Sequence, residues 1–147
     1  MIVENKYTNE LLEIFDGNSQ DYIVDRLAVT RGFLNVVYVE EDIPLGYAVV
    51  YFGTDFCEQE EYPIKLENVK ENSIYIWQMV TKKGFEGKGI GTCLLKYITE
   101  KYYDRDIYSS INVRNLGSLK IHEKCGFIEV ANFKKENEKY RMFKIGG

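Results

Sequence analysis

The order of apolar and polar positions along the chain predicts a series of short helices and strands. Apolar residues at helical spacing predict four helices: residues 8–15, 19–29, 90–103 and 116–125. Runs rich in β-branched and aromatic residues predict six strands: residues 33–40, 45–53, 73–81, 107–113, 127–130 and 140–145. Thr8 and Ser19 are the expected N-caps of the first two helices, and Gly126 ends the last one.

These elements combine hairpins with crossover connections, so the expected fold class is α/β or α+β with a mixed sheet. The turn EDIP joins the first two strands, and the charged segment NFKKENEK joins the last two. Residues 73–81 are too continuously apolar for a strand with one exposed face, which places them at the centre of the sheet. A length of 147 residues favours one domain over 1–147.

Charge narrows the range of partners. The net charge of −4 argues against nucleic acid or an anionic membrane as the main partner and favours a cationic substrate. The segment 54–72 holds six acidic residues and two lysines, so it alone accounts for that net charge. We expect it to be a solvated loop with at most a helical turn. The alternative is that it borders the site of a cationic acceptor.

The three cysteines are widely separated and odd in number, which argues against a disulfide framework and favours a reducing, cytoplasmic compartment. We expect Cys93 and Cys125 to be buried on helices. One histidine and three scattered cysteines give no metal-ligand spacing, so no metal is expected. No signal peptide is visible at the N-terminus, and the longest apolar stretch, 44–52, is too short to cross a bilayer.

Candidate chemistry concentrates where the central strand leads into the third helix. Gly87, Gly89 and Gly91 occupy this turn, where backbone without Cβ atoms can approach a ligand and the helix N-terminus favours an anion. A dinucleotide fingerprint would need glycine at Thr92 or Leu94, and a phosphate-binding loop would need lysine directly after its second glycine. The turn is therefore either a pyrophosphate cradle of another kind or a glycine-rich turn without a ligand.

Two segments resemble the GNAT N-acetyltransferases. FEGKGIGTCLL resembles that family's CoA-binding motif, Q/R-x-x-G-x-G/A followed by an apolar helix, and NLGSLKIHEKCGF resembles its second block, N-x-x-[SA]-x-x-[LI]-Y-x-[KR]-x-G-F. The resemblance implies a mixed, mostly antiparallel sheet with splayed central strands flanked by helices. It also implies acetyl-CoA as cosubstrate, a small-molecule or peptide amine as acceptor, and transfer by direct attack through a tetrahedral intermediate. It is compatible with a homodimer.

The resemblance also assigns roles to individual residues. The backbone of Met79, Val80 and Thr81 should pair with the pantetheine arm, and one of these amides should face the acyl carbonyl. Backbone amides of the loop and helix start should hold the pyrophosphate: Glu86, Gly87, Lys88, Gly89, Ile90, Gly91 and Thr92. Asn115 should contact pantetheine, and His122 replaces the tyrosine that protonates the departing thiolate. An imidazolium with a pKa of ~6.5 could donate that proton.

Four positions leave alternatives open. Glu86 stands where the family has Gln or Arg, and Trp77 stands where many members carry a basic glutamate, so the general base is unidentified. Asn115 could simply cap the next helix, and His122 could simply pack on a helix face. The function hypothesis is therefore an acetyl-CoA-dependent N-acyltransferase. Its alternative is a CoA-binding or protein-interaction module with the same fold and no transfer.

Overall fold

The computed structural model describes residues 1–17 and 25–146 and contains a mixed sheet with helices on both faces. The helices are α1 Thr8–Asp16, α2 Phe56–Gln59, α3 Ile90–Lys101 and α4 Leu116–Lys124, with a 3₁₀ turn at Ala28–Thr30. The strands are β1 Ile2–Glu4, β2 Leu34–Glu40, β3 Ile43–Phe52, β4 Ile74–Thr81, β5 Ile107–Asn112, β6 Ile128–Lys135 and β7 Glu138–Ile145. Within the described ranges, no helix is long and apolar enough to cross a membrane.

The seven strands lie in the order β1-β2-β3-β4-β5-β7-β6, and only the central pair, β4 and β5, is parallel. The predicted fold class is therefore confirmed, as is the central position of residues 73–81. The last two strands are longer than predicted, because residues of the charged connection pair with each other. Only Glu136 and Asn137 form the turn, both at positive φ (52° and 66°), as a two-residue hairpin requires.

The two halves of the sheet separate at its centre. β4 pairs with β5 only from Ile74 to Ile76, opposite Ile107 to Ser109, and beyond that point β5 pairs only with β7. At the same place β4 carries a β-bulge, since Val49 faces Gln78 whereas Val50 faces Ile76, which leaves Trp77 as the extra residue. A bulge bends its strand. The bend accompanies the divergence of β4 from β5, and a cleft opens between them.

The core lies on both faces of this split sheet. On one face, Ile76 and Met79 pack with α3 and α4 in a cluster that includes Leu94, Ile98 and Leu119. On the other face, Tyr75 and Trp77 pack in an aromatic cluster with Phe56 of α2. α1 packs on this second face through Leu11 and Ile14. The alternation of β4 residues between the faces thus separates an α3/α4 face from an aromatic face.

Two glycines allow α3 to start close to the sheet. A Cβ on Gly46 of β3 would lie 2.7 Å from Ile90 Cγ2 and 3.2 Å from the Val80 carbonyl oxygen. A Cβ on Gly91 would lie 2.9 Å from Ile121 Cδ1 of α4. The N-terminus of α3 is therefore held against β3, β4 and α4, beside the cleft.

Several local predictions differ from the structure. Tyr7, in a left-handed conformation, is the N-cap of α1 in place of Thr8, and its side chain makes no cap hydrogen bond. Residues 18–24, with most of the predicted 19–29 helix and Ser19, lie outside the described residues. Residues 25–29 of that prediction are not α-helical and lead into the 3₁₀ turn. The predicted burial of two cysteines on helices is wrong for Cys93, which is exposed, and is met only in part by Cys125, which is half-buried and caps the C-terminus of α4.

Candidate active site

The glycine-rich loop enters α3 in conformations that favour glycine. Gly87 and Gly89 have φ of +75° and +82°, and a Cβ at either position would meet nothing within 4 Å. These glycines are therefore required by backbone conformation, and the space beside them is open. The first intrahelical bond runs from Cys93 N to Gly89 O, so the amides of Ile90, Gly91 and Thr92 have no partner inside the helix.

The charges around this loop suit an anion. Lys82 and Lys88 place their ammonium groups 5.7 and 5.5 Å from the centre of the Phe85 ring, on the same loop. The carboxylate of Glu86 turns back on its own loop and accepts a hydrogen bond from the Gly84 amide at 2.8 Å. Glu86 is thus held by the loop backbone. Its side chain is not needed by a cradle made of main-chain amides.

The backbone of β4 offers hydrogen-bonding groups to the cleft at alternate residues. Lys82 N donates to Leu45 O of β3 at 2.8 Å, and the register continues from there through Thr81–Gly46, Val80–Tyr47 and Met79–Ala48. In an antiparallel pair the hydrogen-bonded and non-hydrogen-bonded positions alternate. The main-chain groups of Val80 therefore face β3, whereas those of Met79 face the side from which β5 has diverged.

The cleft between the separated strands has a volume of ≈ 130 Å³ and reaches both faces of the sheet. Residues from β4, β5 and α4 line its α3/α4 side, and residues from the 54–72 segment and the β6–β7 hairpin line its aromatic side. The lining includes Glu60, Tyr62, Trp77, Met79, His122 and Tyr140. Three of the predicted site residues, Met79, Asn115 and His122, meet in this cleft.

The remaining predicted residues, Val80, Thr81 and those of the 86–92 loop, do not line the cleft. Gly91 connects the two regions, because a Cβ there would lie 3.7 Å from Met79 Cε. The loop with its free amides and the cleft are therefore neighbouring parts of one surface at the N-terminus of α3.

His122 is buried at the α4 side of the cleft, with 1% of its surface exposed. Its ring lies 4.9 Å from that of Phe127 and 6.1 Å from that of Phe143. Nδ1 lies 2.8 Å from the carbonyl oxygen of Ser118, which can only accept, so Nδ1 carries the proton and Nε2 is a lone-pair acceptor. Within the described residues, Nε2 is buried without a hydrogen-bond partner.

Burial lowers the pKa of His122 to about 4, and the bond to the Ser118 carbonyl opposes this only in part. The assumption of an unperturbed imidazole pKa is therefore wrong, and the ring is neutral near pH 7. A neutral ring with its proton on Nδ1 cannot donate from Nε2. It can accept one hydrogen bond there, from water or from a ligand.

Asn115 is the N-cap of α4, which is one of the two roles considered for it. Its Oδ1 accepts a hydrogen bond from the Ser118 amide at 3.1 Å, at the N-terminus of α4. Its place in the cleft lining leaves the side-chain amide group within reach of a ligand. The two roles are thus compatible in this structure.

Glu60 is a cleft residue that the sequence interpretation treated as part of a solvated loop. α2 anchors the segment through Phe56, which is fully buried and stacks 4.6 Å from the Tyr75 ring. Glu60 Oε2 then accepts the hydroxyl protons of Tyr62 and Tyr75, each at 2.8 Å. Burial raises the pKa of Glu60 above its ordinary value, although both hydroxyls favour the carboxylate and lower it.

Trp77, the bulge residue, forms part of an aromatic wall on the same side. Its ring lies 5.2 Å from Phe33, 5.6 Å from Tyr51 and 5.9 Å from Tyr75. Its Nε1 donates to Asp25 Oδ2 at 2.8 Å. The bulge therefore places an indole where the family resemblance led us to look for a glutamate.

In this fold a split parallel strand pair lies beside a glycine loop and the N-terminus of a helix. The family model for the acetyltransferase (GNAT) family matches residues 4–127. The chain belongs to the GNAT acetyltransferase family. Among curated proteins, no sequence matches the chain at a significant level.

Solved structures show the same fold at low sequence identity. A GNAT acetyltransferase from Streptococcus agalactiae 2603 superposes with a TM-score of 0.73 at 17% identity, covering 99% of this chain and 95% of that one. The ribosomal-protein-S18-alanine N-acetyltransferase of Escherichia coli gives 0.71 at 10% identity, covering 99% and 93%. A chain of the NatC complex bound to Gag peptide and CoA gives 0.69 at 17% identity, covering 99% and 98%.

Proposed function

We propose that this chain is an N-acyltransferase that moves an acetyl group from acetyl-CoA to an amine of a small molecule or peptide. The observation that carries the proposal is the continuity of three features. The glycine loop lies beside Gly91, Gly91 adjoins Met79, and Met79 shares the cleft with the buried His122.

The free thiols of Cys57, Cys93 and Cys125 favour a cytoplasmic location.

The residues present suit CoA. The open space beside Gly87 and Gly89, the amides of Ile90 to Thr92 and the nearby lysines suit a pyrophosphate. The pantetheine arm would then follow β4 where β5 no longer pairs with it, and Asn115 would reach it from α4. When bound, acetyl-CoA would supply the reaction with an activated acyl thioester.

Within this scheme the protein makes three contributions to the reaction of the acyl thioester. The Met79 amide, which faces the cleft, donates a hydrogen bond to the oxyanion that develops on the acyl carbonyl. The fixed position of β4 orients the thioester toward the aromatic side of the cleft. His122, in its neutral form, accepts a hydrogen bond at Nε2 from water that relays a proton to sulfur, or from the thiol once it has formed.

Thiol release tests the proposal. Purified protein is mixed with acetyl-CoA and a panel of amines under single-turnover conditions, and free CoA and the acylated amine are quantified by thiol titration and mass spectrometry. We expect amine-dependent release of CoA in equal amount to the product. Stabilisation by acetyl-CoA without turnover would favour a binding module instead, for which Trp77 at the glutamate position is the supporting observation. Absence of any stabilisation would refute the transferase and the CoA-binding module, and would leave a protein-interaction module with the same fold.

A further inference from the structure

The aromatic side of the cleft holds a carboxylate that none of the steps above uses. Glu60 is held there by the hydroxyls of Tyr62 and Tyr75, which both donate to Oε2 and lie 3.2 Å from each other. Tyr75 is 1% exposed, so this anchor is part of the core. Glu60 lines the cleft, and its second oxygen, Oε1, accepts no hydrogen bond from the described residues.

The chain itself places an ammonium group beside the backbone of Glu60. Lys135, from the β6–β7 hairpin, donates from Nζ to the backbone carbonyl of Glu60 at 2.6 Å. The same Nζ lies 5.6 Å from the centre of the Tyr62 ring, within cation–π range. The Glu60 carbonyl oxygen and the Tyr62 ring at this end of the cleft therefore contact an alkylammonium group, that of Lys135, in this structure.

Two further carboxylates line the cleft: Glu136 is exposed at the turn of the β6–β7 hairpin, and Asp25 is engaged. Its Oδ2 accepts the Trp77 indole N–H at 2.8 Å and pairs with Arg31 Nε at 3.1 Å. Glu60 carries no such pair with a cationic side chain in the described part of the chain, since Lys135 bonds its main-chain oxygen. Among the carboxylates that the described residues contribute to the cleft, Glu60 is thus the one that is neither ion-paired nor exposed at a hairpin turn, and its charge is available to a ligand.

We propose that Glu60 is the general base of the reaction and that the acceptor is an unbranched primary alkylammonium, as in a lysine side chain or a small alkylamine, bound against Tyr62, Trp77 and Tyr140. This inference rests on the proposed function and deepens it. The acceptor approaches from the aromatic face, whereas the acyl donor approaches from the α3/α4 face, because Glu60 and Met79 lie at opposite sides of the split sheet.

The proton and bond changes balance as follows. Glu60 takes one proton from the ammonium, and the neutral amine adds to the thioester carbon, forming the C–N bond. The C–S bond then breaks, and the nitrogen loses a second proton as the amide forms. That proton neutralises the thiolate through water in the cleft, and Glu60 returns its own proton to solvent.

The surroundings of Glu60 set the pH dependence. The groups that face it are Cys57 and Tyr62 from its own segment, Tyr75 from β4, Lys135, Glu136 and Tyr140 from the β6–β7 hairpin, and Asp25 before β2. Burial and the charge of Asp25 raise the pKa of Glu60, whereas the two hydroxyls and Lys135 lower it. A carboxylate with a raised pKa is a stronger base than an exposed one.

The test compares Glu60→Gln with Glu58→Gln, an equal charge change at an exposed position of the same segment. Propylamine, a lysine peptide with a blocked α-amino group, and a peptide with a free N-terminal alanine serve as acceptors. We expect Glu60→Gln to lower kcat/KM at pH 7 by about 10²-fold or more for the first two, and Glu58→Gln to leave it unchanged. The acceptor with the higher kcat/KM, propylamine or the lysine peptide, shows whether the protein prefers a small alkylamine or a lysine side chain.

Two readouts separate a base from a structural residue. The turnover rate of Glu60→Gln should rise about tenfold per pH unit toward the amine pKa of ~10.4, because a variant without the base reacts only with the deprotonated fraction of the amine. Aminoacetonitrile, which is neutral at pH 7, should largely abolish the difference between wild type and Glu60→Gln. An equal deficit with aminoacetonitrile, or wild-type kinetics for Glu60→Gln with propylamine, would overturn the assignment.

A binding measurement keeps this inference separate from the proposed function. Titration calorimetry with propylammonium and no acyl donor should detect binding to the wild type and to Glu58→Gln, and a weaker interaction with Glu60→Gln. Equal binding to all three proteins would overturn the ammonium site even if turnover is observed. Binding lost in Glu60→Gln would support the site even if acyl transfer is absent, in which case only the proposed function fails.

Discussion

Acidification should destabilise this protein through one buried side chain. His122 is neutral in the folded protein, where burial lowers its pKa to about 4, whereas an unfolded chain gives histidine a pKa of ~6.5. Between these values the unfolded state binds one more proton than the folded state. The free energy of unfolding therefore falls as the pH drops from about 6.5 to about 4, and the contribution of His122 is constant above and below that window.

The magnitude follows from the two pKa values. Between pH 7 and pH 5 the loss is about 2 kcal/mol, and the full separation of the two pKa values corresponds to about 3 kcal/mol. Because stabilities of single domains are roughly 5–15 kcal/mol, the smaller figure is already a substantial fraction. Carboxylates titrate over part of the same range, so the histidine contribution must be isolated by comparison with a variant.

Urea unfolding of the wild type and His122→Leu at pH 7 and pH 5 isolates this contribution. The packing cost of the substitution is present at both pH values, and the carboxylates are common to both proteins. We expect the wild type to lose about 2 kcal/mol more than the variant on acidification. Equal losses in the two proteins, or an NMR titration of the single imidazole with a pKa near 6.5, would refute the reasoning.

Three further changes test the rest of the site. Gly89→Glu should abolish stabilisation by acetyl-CoA in a thermal shift assay, whereas Gly32→Glu, at a similar φ (+78°) and equally open, should keep it; equal shifts would contradict the cradle. Phe56→Ala should cost about 3–5 kcal/mol in urea unfolding, because Phe56 is fully buried; a cost below about 1 kcal/mol would contradict its anchoring role. Tyr75→Phe removes a hydroxyl that favours the Glu60 carboxylate, so the acidic limb of kcat/KM should move to higher pH; an unmoved limb would argue against Glu60 as the titrating base.

Local sequence patterns were sufficient for the part of the site that depends on consecutive residues. The glycine loop, the start of α3 at Ile90 and the end of α4 before Gly126 are set by neighbouring residues, and Gly126 has the expected positive φ of 92°. Gly87 and Gly89 also lie at positive φ, as a turn into a helix requires.

The features that sequence interpretation missed depend on distant contacts. β1 has three residues and exists because it pairs with β2, which a periodicity argument cannot detect. The pKa of His122 depends on its burial against Phe127 and Phe143, one of which lies on β7. Glu60 lies within a run of acidic residues, and no local periodicity distinguishes it, because its place in the cleft depends on contacts with Tyr75 of β4 and Lys135 of the β6–β7 hairpin.

The cleft is lined by residues from both faces of the sheet, and its lining limits the kinetic scheme of the proposed reaction. Cys57, Cys93 and Cys125 do not line it, so it offers no thiol to carry an acyl group between two half-reactions. Donor and acceptor must therefore be present together, and initial-velocity plots should intersect instead of running parallel. Because donor and acceptor are proposed to approach from opposite faces of the sheet, we expect that neither blocks the other's path and that the two products leave in either order.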